Sequence, residues 1–163
     1  MNIIVMGVSG SGKTTVGKML AQKLGWKFFD ADDFHSSANK DKMSRGVALT
    51  DEDRAEWLSS LRELLKQSIE AHQSIVLACS ALKQEYRNIL HINNEIRLVY
   101  LRGTYQQIKA RMQKRNTHYM KPEMLKGQFA ILEEPSDALV VDISNKPEEI
   151  VAIIQKALSG ELQ

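Results

Sequence analysis

Residues 7–14 read GVSGSGKT, and no other stretch constrains the fold of this chain as tightly. The segment fits G-x-x-x-x-G-K-[ST] in full, with Gly7, Gly12, Lys13 and Thr14 at the fixed positions. The apolar run NIIVM (2–6) precedes it, and from Thr15 a helical stripe of Val16, Leu20 and Leu24 follows. Strand, glycine loop and helix in that order make a phosphate cradle. Glycines let the backbone curl until successive N–H groups point inward. The helix beginning near Gly12 adds its positive end. Gly7, Val8, Ser9, Gly10, Ser11, Gly12, Lys13, Thr14 and Thr15 are therefore the expected contacts to a nucleotide, ATP by default. Lys13 can reach the β- and γ-phosphates, and the Thr14 hydroxyl is placed for Mg²⁺. The plain alternative is a glycine-rich turn with a chance lysine; motif and flanking pattern together speak against it. The dinucleotide fingerprint G-x-G-x-x-G is not met, because Thr15 stands three residues after Gly12.

Four more short apolar runs follow: KFFD (27–30), SIVLAC (74–79), IRLVYL (96–101) and ALVVDI (138–143). Rich in Ile and Val, they suit strands buried on both faces of a mostly parallel sheet. Helical patterns separate them. Thr50 can cap a helix through about Ala71, with Asp51, Glu52 and Asp53 in the first turn where the helix dipole favours acids. Ala81–Leu90, Thr104–Arg115, Glu123–Leu132 and Pro147–Leu158 follow, and Pro147 suits a first helical turn. Strands alternating with helices predict a three-layer α/β/α fold around a five-stranded sheet, one domain over residues 1–163. Two polar stretches, 31–50 and 114–123, interrupt the alternation. Loop insertions of this kind in an α/β sheet are where substrate sites and lids sit.

Composition narrows the partners. A net charge of +2 with no block of like charges gives no case for a nucleic-acid or membrane surface. No stretch reaches the roughly 18 apolar residues of a membrane span, and no signal peptide fits the N-terminal run. The lone Cys79 cannot form an internal disulfide, so a reducing, cytoplasmic setting is expected.

The reaction is less plain than the nucleotide. Neither D-x-x-G nor N-K-x-D of GTPase switches occurs; NKDK at 39–42 has lysine where the aspartate belongs. Asp142 fits a strand-end metal aspartate by pattern, but reads better as a turn cap on the last strand. The second strand says more. FFDADDFH (28–35) ends with Asp30 and Asp32 two residues apart, so both leave the strand end on one side. If that end lies near the loop, one carboxylate can hold Mg²⁺ or its waters while the other accepts a proton from an attacking hydroxyl. Without the loop, such acids read as solvated turn residues.

Beyond the loop, the segments DADDFH, NKDKMSRGVALTDEDRAEWL (39–58), CSALKQEYRNIL (79–90) and HYMKPEMLKGQFAILEEP (118–135) resemble the gluconokinases, small P-loop kinases related to shikimate kinase. The resemblance runs along nearly the whole chain. It implies a P-loop kinase fold, ATP and Mg²⁺ as cofactors, and phosphorylation of D-gluconate to 6-phospho-D-gluconate by a cytoplasmic homodimer. The family usually has proline where Glu56 and Ala48 stand, and serine where Gly127 stands. Carried over residue by residue, Asp32 is the aspartate on the acceptor hydroxyl and Asp30 the one that helps hold Mg²⁺ through water.

A polyhydroxy carboxylate also calls for cations, and a guanidinium matches a carboxylate bidentately. Arg54 and Arg87 are the candidates, each with a helix-surface role as the bland reading. Lys83 and His35 are further candidates; His35 can bond a hydroxyl or simply anchor its loop. Arg111 and Arg115, at i and i+4 on one helix face, lead with His118 into the expected lid at 114–123. In related kinases an arginine before the lid stacks on adenine and a lid arginine reaches the phosphates. Arg115 is thus a candidate for catalysis and Arg111 for adenine, with Pro147 as the other wall of that slot. Trp57, Phe129 and Leu132 read as packing residues. Shikimate and nucleoside monophosphates remain alternative acceptors, and a non-catalytic ATP sensor is the alternative of another class. A nucleic-acid-dependent ATPase lacks the expected basic surplus.

Overall fold

The computed structural model describes residues 1–114 and 122–160. Five strands form one sheet: β1 (Asn2–Met6), β2 (Lys27–Asp30), β3 (Ile75–Ala78), β4 (Ile96–Arg102) and β5 (Leu139–Asp142). Their order is β2-β3-β1-β4-β5, and every neighbouring pair is parallel. The described helices are α1 (Lys13–Leu24), α2 (Ser37–Ser44), α3 (Asp51–Glu70), α4 (Gln84–Leu90), α5 (Tyr105–Lys114), α6 (Pro122–Ile131) and α7 (Pro147–Leu158). None of them is long and apolar enough to cross a membrane.

The alternation of side chains along β1 builds the three layers. Ile3 and Val5 point into one core with Val16 and Leu20 of α1, Ile108 of α5, and Ile150 and Ile154 of α7. Ile4 and Met6 point into the other with Leu58, Leu61 and Leu65 of α3 and Leu90 of α4. Each such side chain stabilises the fold by about 1.5–3 kcal/mol when fully buried, and Leu61 and Leu65 are 0% exposed. With both faces covered, β1 is held firmly and delivers its last residue, Met6, to the start of the glycine loop.

Local chemistry sets the helix ends. Thr50 caps α3 as its position predicts: its Oγ1 accepts from the Asp53 N–H at 3.1 Å, and Asp53 Oδ2 accepts from the Thr50 N–H at 2.9 Å. Such a cap contributes about 1 kcal/mol. At the start of α1, Gly12 has φ +98, a left-handed conformation that side chains with a Cβ rarely adopt. Further along the helix, a Cβ on Gly17 would stand 2.6 Å from Phe28 Cε2, so glycine there lets α1 lie close on β2.

Two expectations shift. The helix expected from Ala81 begins only at Gln84, because Ala81 is left-handed with φ +45 and Lys83 is still extended. Within the 31–50 insertion the chain is regular: a 3-10 turn, Ala31–Phe34, is followed by α2. SANKDKMS has no apolar stripe, which hides α2 from periodicity. Polar bonds hold it instead. Ser36 Oγ accepts from the Asn39 N–H at 3.1 Å, and Lys42 Nζ pairs with Asp53 at 2.9 Å.

Candidate active site

The phosphate loop leaves β1 at the middle of the sheet and is pinned from below by β3. Gly7 N–H donates to Ser80 O at 3.4 Å, and Cys79 N–H to Val5 O at 3.0 Å. Lys13 Nζ donates to Val8 O at 3.0 Å, folding the lysine over its own loop. Burial holds the Lys13 pKa below its ordinary value, against the opposing pull of Asp32, Cys79 and Asp30.

The end of β2 reaches this loop although β3 lies between β1 and β2. Thr14 Oγ1 donates to Asp30 Oδ2 at 2.8 Å, and Asp30 Oδ1 accepts from the Asp32 N–H at 3.0 Å. Asp30 thus ties the phosphate loop to the turn that carries Asp32. Asp32 opens on solvent, yet desolvation by the surrounding protein still pushes its carboxyl above the usual carboxylate range. The charge of Asp30 adds to that rise and the charge of Lys13 opposes it. A carboxyl moved upward is a better proton acceptor. Thr14 and Asp30 present adjacent oxygen donors of the kind Mg²⁺ takes, alongside waters and phosphate oxygens. Among the described residues no three His, Cys, Asp or Glu side chains gather as a metal cage. An ion shared with phosphates requires no such cage.

The acceptor side rises from the start of α3. Trp57 Nε1 donates to Ala31 O at 2.7 Å, and the His35 ring stacks on Trp57 at 4.3 Å between centroids. Burial, helped by the charges of Arg54 and Lys40, lowers the His35 pKa to about 4, so the imidazole is neutral at pH 7. Asn39 Nδ2 lies 3.4 Å from His35 Nδ1 and donates to Asp53 O at 2.7 Å. His35 therefore braces the turn bearing Asp32 against α3.

Arg54 and Lys83 come together around Tyr86 and Asp51. Arg54 Nη1 donates to Tyr86 Oη at 3.1 Å, and Lys83 Nζ donates to Asp51 Oδ1 at 3.0 Å. Tyr86 Oη donates to the same Asp51 oxygen at 2.6 Å. Both cations flank the Tyr86 ring, with Arg54 5.6 Å and Lys83 5.5 Å from its centroid.

Arg87 has a different task. It is 5% exposed, and its two terminal nitrogens donate to Ala81 O, Leu82 O, Glu133 O and Gln84 Oε1 at 2.7, 3.1, 2.7 and 3.0 Å. Its guanidinium holds together the turn from which Lys83 projects.

On the other flank, Arg111 donates to Ile143 O, four residues before Pro147, the first residue of α7. Its Nη1 lies 4.0 Å from where a Cβ on Gly12 would stand, so it borders the phosphate loop. Arg115, His118 and Lys121 lie outside the described residues. From α6, Gln128 Oε1 accepts from the Ser9 N–H at 2.8 Å, and Gln128 Nε2 donates to Ser9 Oγ at 3.2 Å. Gln128, Asp51 and Tyr86 were not among the residues expected from the sequence, although all three stand inside the quoted segments. Phe129 meets Tyr105 edge-on, Trp57 is 4% exposed, and Asp142 closes the turn after β5 by accepting from the Ser144 N–H at 2.7 Å. Burial pushes the Cys79 thiol up to about 12, which leaves it protonated and no nucleophile.

Known proteins match this arrangement. The family model described as shikimate kinase matches residues 9–159. A mouse (Mus musculus) protein, "Probable gluconokinase", is 44% identical, with 96% of this chain and 96% of that protein covered. The crystal structure of a sugar kinase from Janibacter sp. HTCC2649 superposes with a TM-score of 0.90 at 41% identity, covering 97% of this chain and 94% of that one. A gluconokinase structure from Sinorhizobium meliloti 1021 gives 0.85 at 33% identity, covering 99% and 97%.

Proposed function

The chain belongs to the gluconokinases, within the shikimate-kinase-like P-loop kinases, and from that premise we propose that it transfers the γ-phosphoryl group of ATP to the terminal hydroxyl of D-gluconate. The product is 6-phospho-D-gluconate. The observation that carries this reading is the Thr14–Asp30 hydrogen bond of 2.8 Å, which joins the acid-bearing end of β2 to the phosphate loop. A nucleotide sensor has no use for two carboxylates at that place; a kinase has.

The loop N–H groups and Lys13 hold the phosphates, and Lys13 exchanges Val8 O for phosphate oxygens when ATP enters. Thr14 and Asp30 would hold Mg²⁺, which when bound would supply positive charge against the phosphate oxygens. Asp32 receives the proton of the acceptor hydroxyl and keeps its oxygen in line with the γ-phosphate. As the new O–P bond forms, the bond between phosphorus and the β,γ-bridging oxygen breaks and ADP leaves. Arg54 and Lys83 take the gluconate carboxylate, and the neutral His35 fixes the height of the Asp32 turn. Arg111 and Pro147 border the adenine, and Arg115, within a lid at 114–123, brings charge to the transferring group.

The same reading makes residues 1–163 one kinase domain working as a homodimer in the cytoplasm, on a small molecule rather than on nucleic acid or membrane. The family resemblance supports the dimer, and light scattering at two concentrations tests it. For the reaction, an ADP-release assay with Mg²⁺ compares gluconate, shikimate and AMP as acceptors. Turnover with gluconate alone is expected. Turnover with AMP or shikimate and none with gluconate would overturn the assignment.

A further inference from the structure

The cluster at the start of α3 has the form of a carboxylate-binding site whose occupant is part of the protein. Two donors and a further cation converge on Asp51 Oδ1: Tyr86 Oη donates at 2.6 Å, Lys83 Nζ donates at 3.0 Å, and Arg54 Nη1, which itself donates to Tyr86 Oη, lies 3.9 Å away. They come from two separate helices and the residue that caps one of them. A hydroxyl, an ammonium and a guanidinium around one oxygen are what an external acid group would need.

Asp51 itself does little else. The Thr50–Asp53 box already caps α3, and Glu52 and Asp53 already supply first-turn acids. Its ion pairs are exposed ones, of a kind that adds little stability. The side chains differ in how firmly they are seated. Those of Arg54 and Lys83 are 20% and 26% exposed and Tyr86 is 4% exposed, whereas that of Asp51 is 61% exposed. The donors are anchored and the acceptor is on the open side.

We propose that Asp51 is an internal stand-in for the substrate's carboxylate: it occupies Arg54, Lys83 and Tyr86 while the acceptor site is empty and turns out to solvent when an aldonic acid arrives. The two cations and one anion leave a single net positive charge in the resting cluster. An incoming monocarboxylate replaces the internal one charge for charge. Asp51 thereby sets acceptor specificity, because an uncharged polyol has no group with which to displace it. This inference rests on gluconate being the acceptor.

The test is the gluconate KM of Asp51→Asn, with Asp51→Ser beside it and melting curves to identify loss of fold in either. Removing the competing charge should lower the gluconate KM about fivefold, on the scale of one unit charge a few ångströms away in a largely aqueous setting. The KM for ATP should stay as it is. A gluconate KM that is unchanged or higher in the folded variants makes Asp51 a fixed support and overturns the proposal. If the wild-type enzyme phosphorylates an uncharged acceptor and not gluconate, the acceptor assignment falls and this inference falls with it. Gluconate turnover by the wild type with a raised KM in the variants defeats the inference alone.

Discussion

The phosphate loop and the acceptor cluster are built in opposite ways. The loop is backbone: eight consecutive residues, 7–14, curled by glycine and running from the end of β1 into the first turn of α1. The cluster is side chain: Asp51 and Arg54 from α3, Lys83 from the turn before α4 and Tyr86 from α4, brought together across 32 to 35 positions. A backbone site needs a fixed spacing of permissive residues, so it leaves a motif. A side-chain site needs only that two helices meet, so its members are scattered. The first fits what every nucleoside triphosphate shares; the second is where, in the proposed function, one acceptor is told from another.

That division can be broken where the two regions meet, at Asp32. Asp32→Asn keeps the shape and removes the base, so kcat should fall by about 10² to 10⁴ while the ATP KM holds. Because the Asp32 carboxyl sits above its ordinary value, the acidic limb of the wild-type pH–rate profile should also lie above the usual carboxylate range. Activity is lost as pH falls through that limb, since a protonated Asp32 cannot accept the proton. In the variant the limb should vanish. Near-normal kcat with only a raised gluconate KM would make Asp32 part of the acceptor cluster rather than of the chemistry.

The paired variants Arg54→Ala and Arg87→Ala sharpen the comparison within the cluster. Loss of Arg54 should raise the gluconate KM by about 10- to 100-fold, the range for a hydrogen bond to a charged group, and leave melting almost untouched. Loss of Arg87 strands the carbonyls of Ala81 and Glu133 and should cost about 3 kcal/mol of stability, read by denaturant unfolding. A stable Arg87→Ala whose defect is confined to the gluconate KM would return Arg87 to the substrate.

The smallest effect concerns His35. Its folded pKa is depressed from 6.5 to about 4, so the unfolded chain takes up a proton first as pH falls. The stability held by the neutral ring is complete above pH 6.5 and is lost between 6.5 and about 4. The melting temperature should drop by about 5 °C across that window. His35→Phe keeps the stack on Trp57 and should flatten the decline.

Legibility in the sequence follows the same physics. β1, the loop and α7 stand where the pattern predicts, and Thr50 caps α3 as its position suggests. Short-range rules govern each of these. α2 escaped because capping and ion pairs hold it in place of an apolar face. Ala81 delayed α4 through a left-handed backbone that nothing in its residue type announces. Arg54 and Arg87 look alike as letters, each an arginine near a helix start in a family-like segment. Only the fold shows that one guanidinium faces Tyr86 and Asp51 while the other is spent on carbonyls. Gln128 had no signal of its own, since its partner Ser9 lies 119 positions away.

The strand order doubles as a ruler. Neighbouring strands stand about 4.8 Å apart, so one intervening strand, β3, sets the tips of β1 and β2 about 10 Å from each other. The phosphate loop hangs from one tip and Asp32 from the other, and Asp30 closes the interval by accepting from Thr14 Oγ1 at 2.8 Å. The spacing of hydrogen-bonded backbones therefore sets the gap that a single short carboxylate can span, and a second intervening strand would put it out of reach.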